Sequence, residues 1–148
     1  MKVNIKKILL VEDNANDAEL TLAALAEKHL ANEVILLKDG QEALDFLYCH
    51  DAYASREKIN PAVILLDIKM PRVDGLQVLR KIKSDPALKA IPVVILSSSR
   101  EESDLLESYH LGVNAFVVKP VIFSEFIEAV ASLGTFWAIL NEAPPIKV

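Results

Sequence analysis

Short β-branched runs alternate along this chain with segments of helical period. The runs are Lys7–Val11, Val34–Leu37, Ala62–Leu66, Val93–Leu96 and Ala115–Val118. They are almost continuously apolar rather than alternating, as expected of strands covered on both faces of a parallel sheet. Between them, Asn14–His29 places Ala15, Ala18, Leu22 and Leu25 on one helical stripe. Asp39 is a plausible cap for a helix over Gln41–Tyr48. Asp74 precedes a helix carrying Leu76, Leu79 and Ile82, which the Asp85-Pro86 step should end. A fourth helix is predicted over Glu101–Leu111, stopped near Gly112. A fifth covers Ser124–Asn141, with Phe126, Ile127, Val130, Leu133 and Trp137 on one stripe. Five βα units in a row predict an α/β fold, a doubly wound parallel sheet with right-handed crossovers. Two stretches stand apart. Cys49–Asn60 is a long polar connection of a kind that is often functional or mobile. The tail Glu142–Val148, with Pro144-Pro145, should fray.

Each of four strands ends on a polar signal: Glu12-Asp13, Asp67, Ser97 and Lys119-Pro120. In a parallel sheet all four meet at the carboxyl edge, where open α/β sheets bind ligands. Three carboxylates, a hydroxyl and an ammonium gathered there suit a divalent cation and a phosphoryl group. Asp67 is an oxygen nucleophile able to form an acyl phosphate. Glu12, Asp13 and Asp67 offer the hard oxygens that Mg²⁺ prefers. Taken alone, Asp13 reads as a charge balancing a helix dipole, and Ser97 within Ser97-Ser98-Ser99 reads as a cap. The constellation turns both toward the site.

Composition narrows the field. At 148 residues the chain is the size of one domain with a real core. Its 52% apolar share argues against disorder, and a net charge of −5 gives no electrostatic grip on nucleic acid. No stretch is long enough to span a bilayer, and the basic start leads into too short an apolar run for a signal peptide. A cytoplasmic protein is the simplest expectation. Cys49 is the lone cysteine, which excludes an internal disulfide, and it reads as an inert, partly buried thiol. His29, His50 and His110 lack partners at ligand spacing and read as surface residues.

The ordered set of Glu12-Asp13, Leu66-Asp67-Ile68-Lys69-Met70-Pro71, Asp74-Gly75, Ser97 and Lys119-Pro120 closely resembles the receiver domain of two-component response regulators. The resemblance covers roughly residues 5–132 and leaves 133–148 as an extension of the last helix plus a tail, with no output domain. It implies a flavodoxin-like five-stranded sheet of order 2-1-3-4-5 with five helices. It implies Asp67 as phosphoacceptor and Mg²⁺ held by Asp13, Asp67, the Lys69 carbonyl and, through water, Glu12. Lys119 and Ser97 would contact phosphoryl oxygens. Phe116 stands at the switch-aromatic position and would act with Ser97; lacking the common tyrosine's hydroxyl, it would switch by packing alone. The Lys119-Pro120 bond is implied to be cis. The implied partner is a sensor histidine kinase, with onward signalling through a downstream protein or a phosphotransfer protein.

The long Cys49–Asn60 connection and the ending Thr135-Phe136-Trp137 resemble a narrower group, the single-domain response regulators paired with bacterial phytochromes, several of which form homodimers. Haloacid-dehalogenase-type phosphatases share much of the constellation. They need a second Asp two residues after the nucleophile, where this chain has Lys69, and usually a cap domain, for which there is no room. A phosphorylation-independent binding module is a further alternative, though every acceptor residue is present. A flavodoxin-like cofactor binder would need a phosphate-cradling loop after the first strand, which is missing here.

Overall fold

The computed structural model describes residues 7–58, 60–97, 102–119 and 123–137. The strands β1 (Ile8–Val11), β2 (Val34–Leu37), β3 (Val63–Leu66), β4 (Val93–Ser97) and β5 (Ala115–Val118) form one sheet of order β2-β1-β3-β4-β5. All four pairings are parallel, and Leu10 lies between Leu36 and Leu65. The order is the one the resemblance implies. β1, β3 and β4 are buried throughout, while β2 and β5 at the edges are only partly covered.

Alternate residues of each strand enter separate cores, the direct result of the two-residue period of a strand. Leu9, Val11, Leu37, Ile64, Leu66, Val93 and Ile95 pack with Phe46, Leu47, Val78, Leu79 and Ile82. Those partners lie on α2 (Gly40–Tyr48) and α3 (Gly75–Ser84). On the other face, Ile8, Leu10, Val63, Leu65, Val94 and Leu96 pack with Ala24 and Leu25 of α1 (Ala15–Ala26). Trp137 is half-buried against that second core, following α5 (Phe123–Thr135), which packs on α1. α4 (Glu102–Leu111) packs on α3.

Three helices start on side-chain caps, two of them just beyond strand exits and the third after the loop that follows β3. Asn14 Oδ1 accepts from Asp17 N at 3.0 Å, and Asp39 Oδ1 accepts from Glu42 N at 2.8 Å. Asp74 and Gln77 form a reciprocal capping box. The helix ends share a second device. In α1, Leu30 N donates to Leu25 O and His29 N to Ala26 O, both at 3.0 Å, with His29 left-handed at φ 58°. This 6→1, 5→2 pattern closes the helix at Ala26, three residues short of the expected end, because Leu30 is drawn into the core beside Leu25. Cys49 (φ 56°) closes α2 in the same way, and Gly112 (φ 98°) closes α4.

The Cys49–Asn60 connection is pinned rather than loose over its described residues. Tyr53 packs edge-on against Phe46 and donates its hydroxyl to Glu42 Oε1 at 2.8 Å. The Arg56 guanidinium lies 4.0 Å from the Phe46 ring centre, and its Nε donates to Phe46 O at 2.9 Å. The side chains of Phe126, Ile127, Val130 and Leu133 and all residues from 138 onward lie outside the described set, as does the Pro120 side of the Lys119-Pro120 bond.

His29 holds, on the exposed surface, a conformation that costs an L-residue about 1 kcal/mol and glycine nearly nothing. His29→Gly is expected to raise unfolding stability in urea by about that amount; an unchanged or lower midpoint would show that the turn carries no strain.

Candidate functional site

Main-chain bonds past the strand ends fix the polar residues at the carboxyl edge. Glu12 N donates to Leu37 O of β2 at 3.0 Å, and Asp67 N to Val11 O of β1 at 3.1 Å. Lys119 N donates to Ser97 O of β4 at 2.7 Å. Each residue therefore continues the ladder by one step, and its side chain emerges beside its neighbour's. Glu12 is left 3% exposed and Asp67 8%, while Asp13, one residue further on, faces solvent.

Glu12, Asp13 and Asp67 each present a carboxylate oxygen within 4.8 Å of the others. Hard, crowded oxygens of this kind suit a divalent cation. Lys119 Nζ reaches in from β5, 2.7 Å from Glu12 Oε1 and 3.9 Å from Asp67 Oδ1. Its third carboxylate is Asp17 Oδ2 at 2.8 Å, from the first turn of α1. Asp67 Oδ1 also accepts from Ile68 N at 2.9 Å.

Burial dominates the electrostatics. It pushes the Glu12 carboxyl up to about 7, with the Asp67 charge adding to the rise and the Lys119 hydrogen bond opposing it. Asp67 is raised mainly by burial too, against the Lys119 charge and hydrogen bonds from Glu12 and Ile68 N. Burial disfavours the Lys119 ammonium, but hydrogen bonds to Asp17 and Glu12 and the nearby Asp67 charge outweigh it and hold its pKa above the ordinary lysine value.

The segment after Asp67 is pressed against its surroundings. Gly75 N donates to Ile68 O at 2.8 Å, and a Cβ at position 75 would lie 2.0 Å from Asp67 O, so only glycine fits. A Cβ on Gly40 would lie 2.1 Å from Val73 O. Arg72, left-handed at φ 65°, pairs its guanidinium with Asp39, the cap of α2. The loop over residues 68–73 is thereby tied to the start of α2.

Of the residues singled out from sequence, Glu12, Asp13, Asp67 and Lys119 come together. Ser97 is fully buried as the last residue of β4, one register step from Lys119. Phe116 sits half-buried opposite Ile95, packed against the core on the α2–α3 side. The Lys69 side chain is exposed, and Ser98 and Ser99 lie outside the described residues. His29, His50 and His110 are all exposed, and Cys49 is partly buried. Sequence reasoning missed Asp17 and the Arg72–Asp39 pair. No local signal set Asp17 apart from any other acidic residue in a first helical turn.

A sequence profile of the response regulator receiver domain matches residues 8–131. The chain belongs to this family. The response regulator Rcp1 of Synechocystis sp. is 39% identical over 132 residues, 89% of this receiver chain and 88% of Rcp1. A manganese-bound structure of Rcp1 superposes with a TM-score of 0.86 at 37% identity, covering 95% of this chain and 99% of that one. The phosphorylated cyanobacterial phytochrome response regulator RcpA gives a TM-score of 0.87 at 42% identity, over 95% and 99% of the two chains. The bacteriophytochrome response regulator RtBRR is 57% identical with a TM-score of 0.76, over 95% and 85%. Among the described residues of this receiver, no helix is long and apolar enough to cross a membrane.

A raised carboxyl means that the folded receiver binds its proton more tightly than the unfolded chain. Glu12 therefore favours folding most below its ordinary value of 4.5, and that advantage is lost as pH rises through about 7. In chelator-treated buffer, urea stability of the wild type is expected to fall across this window and that of Glu12→Gln to stay flatter. Parallel pH profiles for the two proteins would exclude a shifted Glu12.

Proposed function

We propose that this receiver accepts a phosphoryl group on Asp67 from a sensor histidine kinase, with Mg²⁺ as cofactor, and so switches protein contacts in two-component signalling. The observation that carries the reading is the clustering of Glu12, Asp13 and Asp67 within 4.8 Å, with Lys119 Nζ 3.9 Å from Asp67. An Asp67 oxygen forms the new O–P bond as the P–N bond to the kinase histidine breaks, and the electron pair leaves with the imidazole. Such transfers ask the protein mainly for position and charge. Asp13, Asp67, the Lys69 carbonyl and, through water, Glu12 would hold the cation, which when bound neutralises charge on the phosphoryl oxygens. Lys119 pairs with one phosphoryl oxygen and the Ser97 hydroxyl donates to another. Movement of Ser97 toward the phosphoryl group makes room for Phe116, which changes the surface over β4 and β5. The receiver unit spans residues 5–132 in this reading.

The relatives named for phytochromes support a bacterial phytochrome as the kinase. A downstream protein or a phosphotransfer protein then receives the signal, and a homodimer is its assembled form. Phosphotransfer profiling against the histidine kinases of the host tests the pairing.

Incubation with Mg²⁺ and acetyl phosphate, followed by intact mass measurement, is expected to add a single phosphoryl group, and Asp67→Asn is expected to add none. A wild-type chain of unchanged mass would refute phosphoacceptance. Rapid multiple turnovers of a small phosphate ester would instead place the chain with the phosphatases, despite Lys69 at their second-Asp position.

A further inference from the structure

Asp17 has no role in the site as assigned above, yet its Oδ2 lies 2.8 Å from Lys119 Nζ, nearly as close as Glu12 at 2.7 Å. The ammonium is shared between these two carboxylates and stands off Asp67 Oδ1 by 3.9 Å, outside hydrogen-bond reach. A phosphoryl group on Asp67 would bring anionic oxygens into that gap and contend for the same three N–H donors.

The two present holders differ in what release costs them. The Glu12 side chain is 2% exposed, so a freed Glu12 carboxylate would be left desolvated. The Asp17 side chain is 35% exposed and can exchange the ammonium for water cheaply. Asp17 is therefore the cheaper of the two partners for Lys119 to release.

We propose that Asp17 is a positioning residue that competes with the phosphoryl group for Lys119, holding the ammonium at rest and releasing it on phosphorylation. Asp17 thereby sets how strongly the site retains a phosphoryl group. It also makes phosphorylation visible on α1, where a paired carboxylate becomes a free one. This inference rests on Asp67 as the acceptor.

Asp17→Asn is nearly isosteric, and it leaves intact the backbone bonds from Asp17 N to Asn14 Oδ1 (3.0 Å) and from Thr21 Oγ1 to Asp17 O (2.9 Å). Beryllofluoride serves as the phosphoryl probe, titrated calorimetrically in saturating Mg²⁺. Asp17→Asn is expected to bind it about two- to five-fold more tightly than wild type, the range for a partly exposed ion pair. Asp17→Glu should return toward wild-type affinity. A spectroscopic signature separates competition from a general structural effect. The Cε–H signal of Lys119 in lysine-labelled protein should differ between wild type and Asp17→Asn at rest and coincide once beryllofluoride saturates the site. Equal or weaker binding by Asp17→Asn, or a Lys119 difference that persists in the saturated state, overturns the proposal. A wild-type chain that does not bind beryllofluoride overturns the Asp67 assignment itself, and this proposal with it.

Discussion

One ammonium stands among four carboxylates at the edge of the sheet, and the site depends on that imbalance. Lys119 touches Glu12 and Asp17 and lies near Asp67, while Asp13 crowds in from the solvent side. Buried carboxylates without enough counter-charge are costly, and burial, with the Asp67 charge adding to it, lifts Glu12 to about 7 despite Lys119. The folded chain carries an electrostatic debt that a divalent cation would offset directly. Without Lys119 the Glu12 carboxylate would lose its ammonium partner. With a second ammonium the pull on a cation would fade.

Such a cluster exists only because the backbone is held rigidly beneath it. Glu12 N, Asp67 N and Lys119 N each continue a parallel ladder beyond the nominal strand end. A one-residue slip in any pairing would turn the polar side chain away and send its neighbour into the wrong face. The close approach of Gly75 to the Asp67 carbonyl and the Arg72–Asp39 tie hold the following loop from two further directions.

Strands and the acidic set were legible from sequence because both are written in short, local patterns. Continuous apolar runs mark strands buried on two faces, and polar residues at their exits mark the edge. Helix α1 was read less well. Ala15 was expected on the core face and is exposed, whereas Thr21 is buried, its hydroxyl satisfied by Asp17 O at 2.9 Å. A threonine tied to its own helix behaves as an apolar residue, which periodicity does not anticipate. Asp17 was invisible for a different reason. An acidic residue in a first helical turn is the ordinary answer to the helix dipole, so nothing local distinguishes one that reaches across to β5. The polar Cys49–Asn60 stretch looked like a loose connection because its anchors, Phe46 and Glu42, lie in the preceding helix.

The division of each strand between two cores has a further consequence. Among the described residues, buried side chains on the α1 side of the sheet and those on the α2–α3 side belong to separate packed clusters, with the sheet backbone between them. Substitutions that remodel one layer are therefore insulated from the other, and each face is free to diversify at its own pace. A partner-binding surface on either side can be rewritten over evolutionary time without disturbing its opposite, provided the strand ends stay in place.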